Sequence, residues 1–435
     1  MPQPSADLPN IGFSERRLDN GLRVIVARDT LTPVVAVNLW YLVGSRHEQP
    51  GRTGFAHLFE HFMFQGSRHV SKAEHFSIVQ AAGGVNNATT FFDRTNYFET
   101  LPSHQLDLAL WLEADRMATL LDALDQENLD NQIEVVKNEK RQSYDNQPYG
   151  SFYDKLMASV FPADHPYSHT PIGSMEDLDA ATLDDVIGFF RKWYAPNNCV
   201  LSIVGDVDET AAMDAAARYF GPIPANPSIR QLPDPQIPPV IGSELREVVP
   251  DRVPMARVHF GFRCPPFGTD EFDALEIASQ ILAGGKGSRL HRRLVREQRI
   301  AQDVSAFTLP LIAGSNCFSG WATARPDGDV ATVEAAFVEE IERMASEEVS
   351  EDELTRAHAL IEAAELGALG RVEEVADRLS MYAALFNRPE MINEQLPRYL
   401  SVTPARIRDV CAQVFRRDNR SVITYVPETA AEAAA

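Results

Sequence analysis

"FAHLFEHFMF", Phe55–Phe64, sets two histidines and a glutamate into a run that is otherwise phenylalanine, leucine, methionine and alanine. Such a run predicts a helix packed into a core, where ionisable groups persist only if something satisfies them. His57 and His61 stand at i and i+4, so on a helix their imidazoles leave one face about a turn apart. Two neutral ring nitrogens in that geometry can hold one metal ion. Glu60, at i+3 from His57, lies beside the same face at a different angle, positioned to reach a water next to the metal without joining its ligands. Zinc held this way keeps a coordination position open, and a nearby carboxylate can then move a proton. A self-satisfied polar cluster is the competing explanation, but three residues at three fixed spacings favour a metal.

The flanking sequence mixes strands and helices. "FSERRLDNGLRVIVARD" reads as a hairpin around Asp19-Asn20-Gly21, followed by a strand near 34–43. "SKAEHFSIVQAAGG" predicts a helix with a Ser71/Glu74 capping box and a Gly83-Gly84 stop. Short strands "NNATTFF" and "TNYFETL" follow, then helices near 104–122 and 126–143. The order is not a strict βαβ alternation, so the expected class is α+β.

Seven prolines between Gly221 and Val240 forbid a continuous helix or central strand and mark a linker. On either side the chain repeats itself. "TLDDVIGFFRKWYAPNNCVLSIVGD", from Thr182, aligns without gaps on "TPARIRDVCAQVFRRDNRSVITYVP", from Thr403, at a constant offset of 221. Two homologous sandwich-like α/β domains are expected: 1–221 with the metal motif, a linker at 222–240, and 241–435. The place of the histidine helix in the second half is taken by "DALEIASQILAGGKGS", which has no histidine, so one metal site per chain is expected. "GGKGS" lacks phosphate-loop spacing and reads as a helix-ending turn.

The order H-x-x-E-H inverts the common H-E-x-x-H pattern. With "GRTGFAHLFEHFMFQGS", "GGVNNATTFFDRTNYFE", "LEADRM", "VVKNEKRQSYDNQPYG" and "WYAPNNCVLSIVGDVD", the chain resembles the pitrilysin/insulinase zinc peptidases over nearly its whole length. The likeness is strongest to the short-chain branch that includes the mitochondrial processing peptidase. That resemblance implies a zinc endopeptidase of the processing-peptidase fold, with Glu60 as general base. It implies Glu139, in "VVKNEKRQ", as the third zinc ligand after His57 and His61, with Glu134 the local competitor. Gln132 stands where many relatives carry a second glutamate. "NNATTFF" corresponds to the family's substrate-binding edge strand, with Asn87 and Ala88 contacting an extended peptide. Active relatives also carry an arginine and a tyrosine in the second half. Here "CFSGWATA" has no arginine, and no tyrosine falls between the first-half tyrosines and Tyr382. The resemblance therefore implies a heterodimer whose paralogous partner supplies that pair. The alternative is a non-catalytic assembly subunit like the family's core proteins, for which the intact His57, Glu60, His61 and Glu139 have no evident use.

Composition narrows the partners. A formal net charge of -22 opposes nucleic-acid binding and would favour basic peptides. The longest apolar stretch, "PVVAVNLWYLVG", is too short for a membrane span and contains Asn38. The N-terminus "MPQPSADLPN" has no leader pattern, and the four cysteines form no C-x-x-C. A cytoplasmic location is expected, although a mature periplasmic chain would read the same way.

Overall fold

The structure is a computed structural model and describes residues 8–230 and 232–428. Most of the N-terminal stretch read for a leader lies outside the described residues. In chain order the first elements are β1 (Ser14–Arg17), β2 (Arg23–Arg28), β3 (Val34–Tyr41), α1 (Phe55–Phe62) and α2 (Glu74–Ala81). Next come β4 (Val85–Thr90), β5 (Thr95–Pro102), α3 (Leu106–Thr119), α4 (Gln126–Lys140) and α5 (Phe152–Val160). Then follow α6 (Met175–Asp179), α7 (Leu183–Trp193), β6 (Cys199–Gly205) and α8 (Glu209–Phe220). The second half carries β7 (Leu245–Asp251), β8 (Arg257–Cys264), α9 (Asp270–Ala283), β9 (Ala301–Thr308) and β10 (Asn316–Ala324). It ends with α10 (Val330–Ser346), α11 (Glu351–Leu369), α12 (Val372–Phe386), α13 (Met391–Leu400), α14 (Pro404–Val414) and β11 (Arg420–Pro427). Helices and largely antiparallel sheets in two units make this an α+β protein, as the sequence predicts.

The first sheet runs β1-β2-β6-β3-β5-β4 and the second β7-β11-β8-β10-β9. Without β1, the two orders are the same. In each sheet the equivalent first strand is parallel to its neighbour, β2 to β6 and β7 to β11, and the remaining pairs are antiparallel.

The duplication reaches single hydrogen bonds. Thr182 and Thr403 cap α7 and α14 by accepting the N–H of Asp185 and Arg406. Asn198, buried before β6, donates to the carbonyls of Leu42 (3.2 Å) and Trp193 (2.9 Å). Asn419, equally buried before β11, donates to those of Arg263 and Val414, both at 2.8 Å. Each partner in the second set lies 221 residues after its counterpart. The amide closes two carbonyls at the end of a helix and a strand that have no ladder partner there.

The compact units do not follow a single cut at the linker. One comprises the described residues up to Lys140, His169–Leu232 and Leu366–Glu394. The other comprises Arg141–Ser168, Pro233–Glu365 and the described residues from Gln395. The join at Leu232 and Pro233 falls inside the proline-rich segment, but each unit also takes a helix from the opposite half. In the first unit α12 packs on β3 and β6, while in the second α5 packs on β8 and β11. A shift of 221 residues lays α5 on α12, so the exchanged pieces are equivalent elements of the repeat. Polar anchors fix α12 in its unit. Asp377 accepts from Trp40 Nε1 (2.7 Å), Asn96 Nδ2 (3.0 Å) and Asn38 Nδ2 (3.2 Å), and Ser380 meets Ser202 at 2.8 Å.

The helix predicted from Ser71 begins later, at Glu74. Ala73 is left-handed at φ 61°, so Glu74 opens the helix and does not occupy the third helical position. Only half of the expected box forms: Glu74 accepts the Ser71 N–H at 3.0 Å. Gly285, at φ 71°, closes the turn after α9, and all four cysteines are free and buried.

Candidate metal centre

Helix α1 buries Phe55, Ala56, Leu58, Phe59 and Phe62, leaving His57, Glu60 and His61 on the remaining arc. Each large apolar side chain on that stripe contributes about 1.5–3 kcal/mol on burial. Phe59 stacks on Phe189 of α7, with ring centroids 5.1 Å apart, and its carbonyl accepts from the Tyr97 hydroxyl. Aromatic packing thus fixes the rotation of α1 about its axis, and with it the direction of the polar arc.

The helix starts without a side-chain cap of its own, because its N-cap residue Gly54, left-handed at φ 87°, has no side chain. Glu48 supplies the cap from outside. Its carboxylate accepts the N–H groups of Ala56 (2.8 Å) and Gly54 (3.0 Å), and His169 Nε2 lies 2.9 Å away. Negative charge at a helix N-terminus is favourable there. Asp177 holds the preceding residue by accepting from the Thr53 N–H (2.9 Å) and hydroxyl (2.6 Å).

Glu139 sits in the last turn of α4, which packs on α1. His61 Nε2 lies 3.3 Å from Glu139 Oε2, and His57 Nε2 lies 3.7 Å from Oε1. One donor atom from each of His57, His61 and Glu139 falls within 4.8 Å of the others. Ligands about 2.0–2.2 Å from a tetrahedral zinc are separated by distances of this order, so the residues fit the ion. Burial pushes His57 down to about 4, so its ring is neutral near pH 7, the form that binds a metal. Contact with His61 holds the Glu139 carboxyl below the usual range. Glu134 points elsewhere and bonds Lys137 at 3.0 Å.

Glu60 Oε2 accepts from the Thr90 hydroxyl at 2.7 Å. Burial raises its pKa, which the Thr90 hydrogen bond partly opposes. Thr90 ends β4, the outer strand of the first sheet, whose one neighbour is β5. Ala88 is buried on this strand and Asn87 exposed. The Ala88 N–H bonds the Asn87 side-chain oxygen at 2.9 Å and not a neighbouring strand. Arg94, at the β4–β5 turn, donates to Thr89 O (2.8 Å) and Asn96 Oδ1 (3.0 Å), stiffening the hairpin. Gln132 is buried on α4, two turns before Glu139.

Sequence reading brought His57, His61, Glu60 and Glu139 together and put Asn87 and Ala88 on an edge strand. It missed Thr90, although period-2 alternation places Thr90 on the face of Ala88. It also missed Glu48, whose cap depends on a loop that no local pattern announces.

A helix with the inverted H-x-x-E-H order in an α+β repeat matches a class, the zinc metalloproteases. The family model "Insulinase (Peptidase family M16)" matches residues 23–169, and "Peptidase M16 inactive domain" matches 180–360. Zinc protease PqqE of Helicobacter pylori is 31% identical over 342 residues, covering 78% of this chain and 76% of that protein. An uncharacterized zinc protease of Streptomyces coelicolor is 26% identical, covering 93% and 88%. The crystal structure of a protease from Helicobacter pylori superposes with a TM-score of 0.90 at 27% identity, covering 96% of this chain and all of that one. The first half of the periplasmic protease PqqL from Escherichia coli shares the fold, at TM-score 0.77 and 20% identity, covering 99% and 95%. The chain belongs to the insulinase family of zinc peptidases, M16. Among the described residues no helix is long and apolar enough to cross a membrane.

Proposed function

We propose that the chain is a zinc-dependent endopeptidase of oligopeptides or unfolded segments, with His57, His61 and Glu139 holding the ion and Glu60 acting as general base. The observation that carries this reading is the convergence of those three donors beside a carboxylate held by Thr90. Zinc, when bound, supplies a Lewis acid for the scissile carbonyl and acidifies the attacking water. Glu60 takes the proton from that water as it attacks and later gives it to the leaving amine. A substrate strand would pair with β4, exchanging the Asn87 side chain at the Ala88 N–H for a peptide carbonyl. The N-terminal domain would hold the catalytic machinery. In support, both clusters able to hold a metal among the described residues lie in the first unit.

The absence of an arginine from β10 supports a second reading, of a two-chain enzyme with a paralogous partner. A cytoplasmic setting suits four free cysteines, whereas a periplasmic one would match that of the Escherichia coli protease PqqL. Cell fractionation decides between them.

The test is Glu60→Gln. Zinc content equal to that of the wild-type chain and loss of cleavage of a quenched peptide mixture are expected. Wild-type rates from the variant would remove Glu60 from the mechanism, and a wild-type chain that neither binds zinc nor cleaves peptides would overturn the peptidase and leave the core-protein role. Gel filtration of the chain alone, assayed with and without the protein that copurifies with it, tests the two-chain reading. Full activity in the isolated chain ends that reading.

A further inference from the structure

The core of the first unit contains a second cluster that the peptidase site does not use. His75 of α2, Glu99 of β5 and Glu113 of α3 place one donor atom each within 4.8 Å of one another. None is more than 4% exposed. Arg116 is the neighbouring cation, and it is already committed. It forks onto the Glu113 carboxylate, with Nε 2.9 Å from Oε2 and Nη2 against Oε1, and rests on the faces of Phe64 and Tyr97.

Arg116 acts on Glu99 only through space and makes no hydrogen bond to it. Both of its carboxylate oxygens are buried without a hydrogen-bond partner, as is Nε2 of His75. Buried polar groups are rarely left this way, so an orphaned pair of this kind calls for a guest. His75 Nε2 and Glu99 Oε2 are 3.7 Å apart. The gap is too wide for a hydrogen bond between them but matches two ligands on one small cation with bonds of about 2.0–2.2 Å.

The geometry points to a second, buried divalent-cation site formed by His75, Glu99 and Glu113. One imidazole with two carboxylates suits Zn2+, Mn2+ or Fe2+ and is a poor match for Ca2+, which takes oxygen ligands. Glu113 then bridges the ion and Arg116, and the residual positive charge spreads over a guanidinium cushioned by aromatic faces. Each ligand comes from a different element, so the ion ties α2 and α3 to the sheet. Its role is structural, and it is independent of the peptidase reading.

The test uses the full chain with the first site removed, His57→Ala/His61→Ala, stripped with chelator, reloaded with Zn2+ and desalted. Elemental analysis is expected to find about one zinc per chain, falling at least about tenfold when Glu99→Gln is added. A folded double variant that retains no zinc, manganese or iron assigns the neutralising charge to a proton on Glu99 and ends the proposal. If Glu99→Gln fails to fold, the wild-type chain still decides. Titration with Co2+ should give two visible absorption phases, and a single phase that disappears with His57 and His61 overturns the second site.

Discussion

Glu48 and Ala56 are joined by a 2.8 Å hydrogen bond that starts helix α1, which carries His57, Glu60 and His61, from outside it. In Glu48→Gln the amide NH2 can face the same backbone donors and the carboxylate's 2.9 Å contact with His169 is lost. Stability should fall by about 2 kcal/mol, read by denaturant melts, and zinc affinity should fall with it. Unchanged melting would mean that the loop caps α1 by other means.

Thr90 orients Glu60 without touching the candidate ligands. Thr90→Val keeps the shape and deletes the donor. The expected result is a kcat about tenfold lower with zinc content unchanged. Loss of zinc in this variant would assign Thr90 to metal retention.

Two glycines should respond in opposite directions. Gly173 is left-handed at φ 68°, and a Cβ there would lie 2.3 Å from the Gly54 nitrogen at the start of α1. Gly173→Ala should cost about 2 kcal/mol or more. Gly188, inside α7, has open space around an added Cβ, so Gly188→Ala should stabilise by about 0.5–1 kcal/mol. Thermal melts of the pair separate local strain from general sensitivity to alanine.

Acid should loosen the second unit through Glu353. Its bidentate pair with Arg289, at 2.7 and 2.8 Å, holds its pKa down to about 2, against an ordinary 4.5. A folded-state pKa below the unfolded one stabilises fully above the unfolded value. That stabilisation declines as pH falls from about 4.5 and is gone below about 2. Glu353→Gln should flatten the acid limb of the stability curve by about 1–3 kcal/mol. An unchanged curve from pH 7 to 2 would rule out the contribution.

The parts of the site legible in the sequence were those set by local geometry. His57, Glu60 and His61 follow from helical spacing, and the edge strand from alternation. Glu139 needed the family likeness, because helical spacing does not single it out from Glu134. The duplicated Thr182–Thr403 segments were legible because one capped helix, turn and strand recur without gaps. The helix exchange was not, since both α5 and α12 are amphipathic and a sequence pattern does not say which sheet a helix covers. The half-formed box at Ser71 depended on a left-handed Ala73, a conformation alanine seldom adopts.

The exchange also imposes an order on biosynthesis. The strands of the first sheet are all made by Gly205, but the helix that covers β3 and β6 begins at Val372, 167 residues later (372 minus 205). Until then Trp40, Asn38 and Asn96 lack Asp377, so the nascent first unit must wait with a sheet face uncovered while the second is translated. The first unit of the growing chain is therefore left open while residues 233–365 of the second are translated, and it closes before the second, whose interior strand β11 is made last.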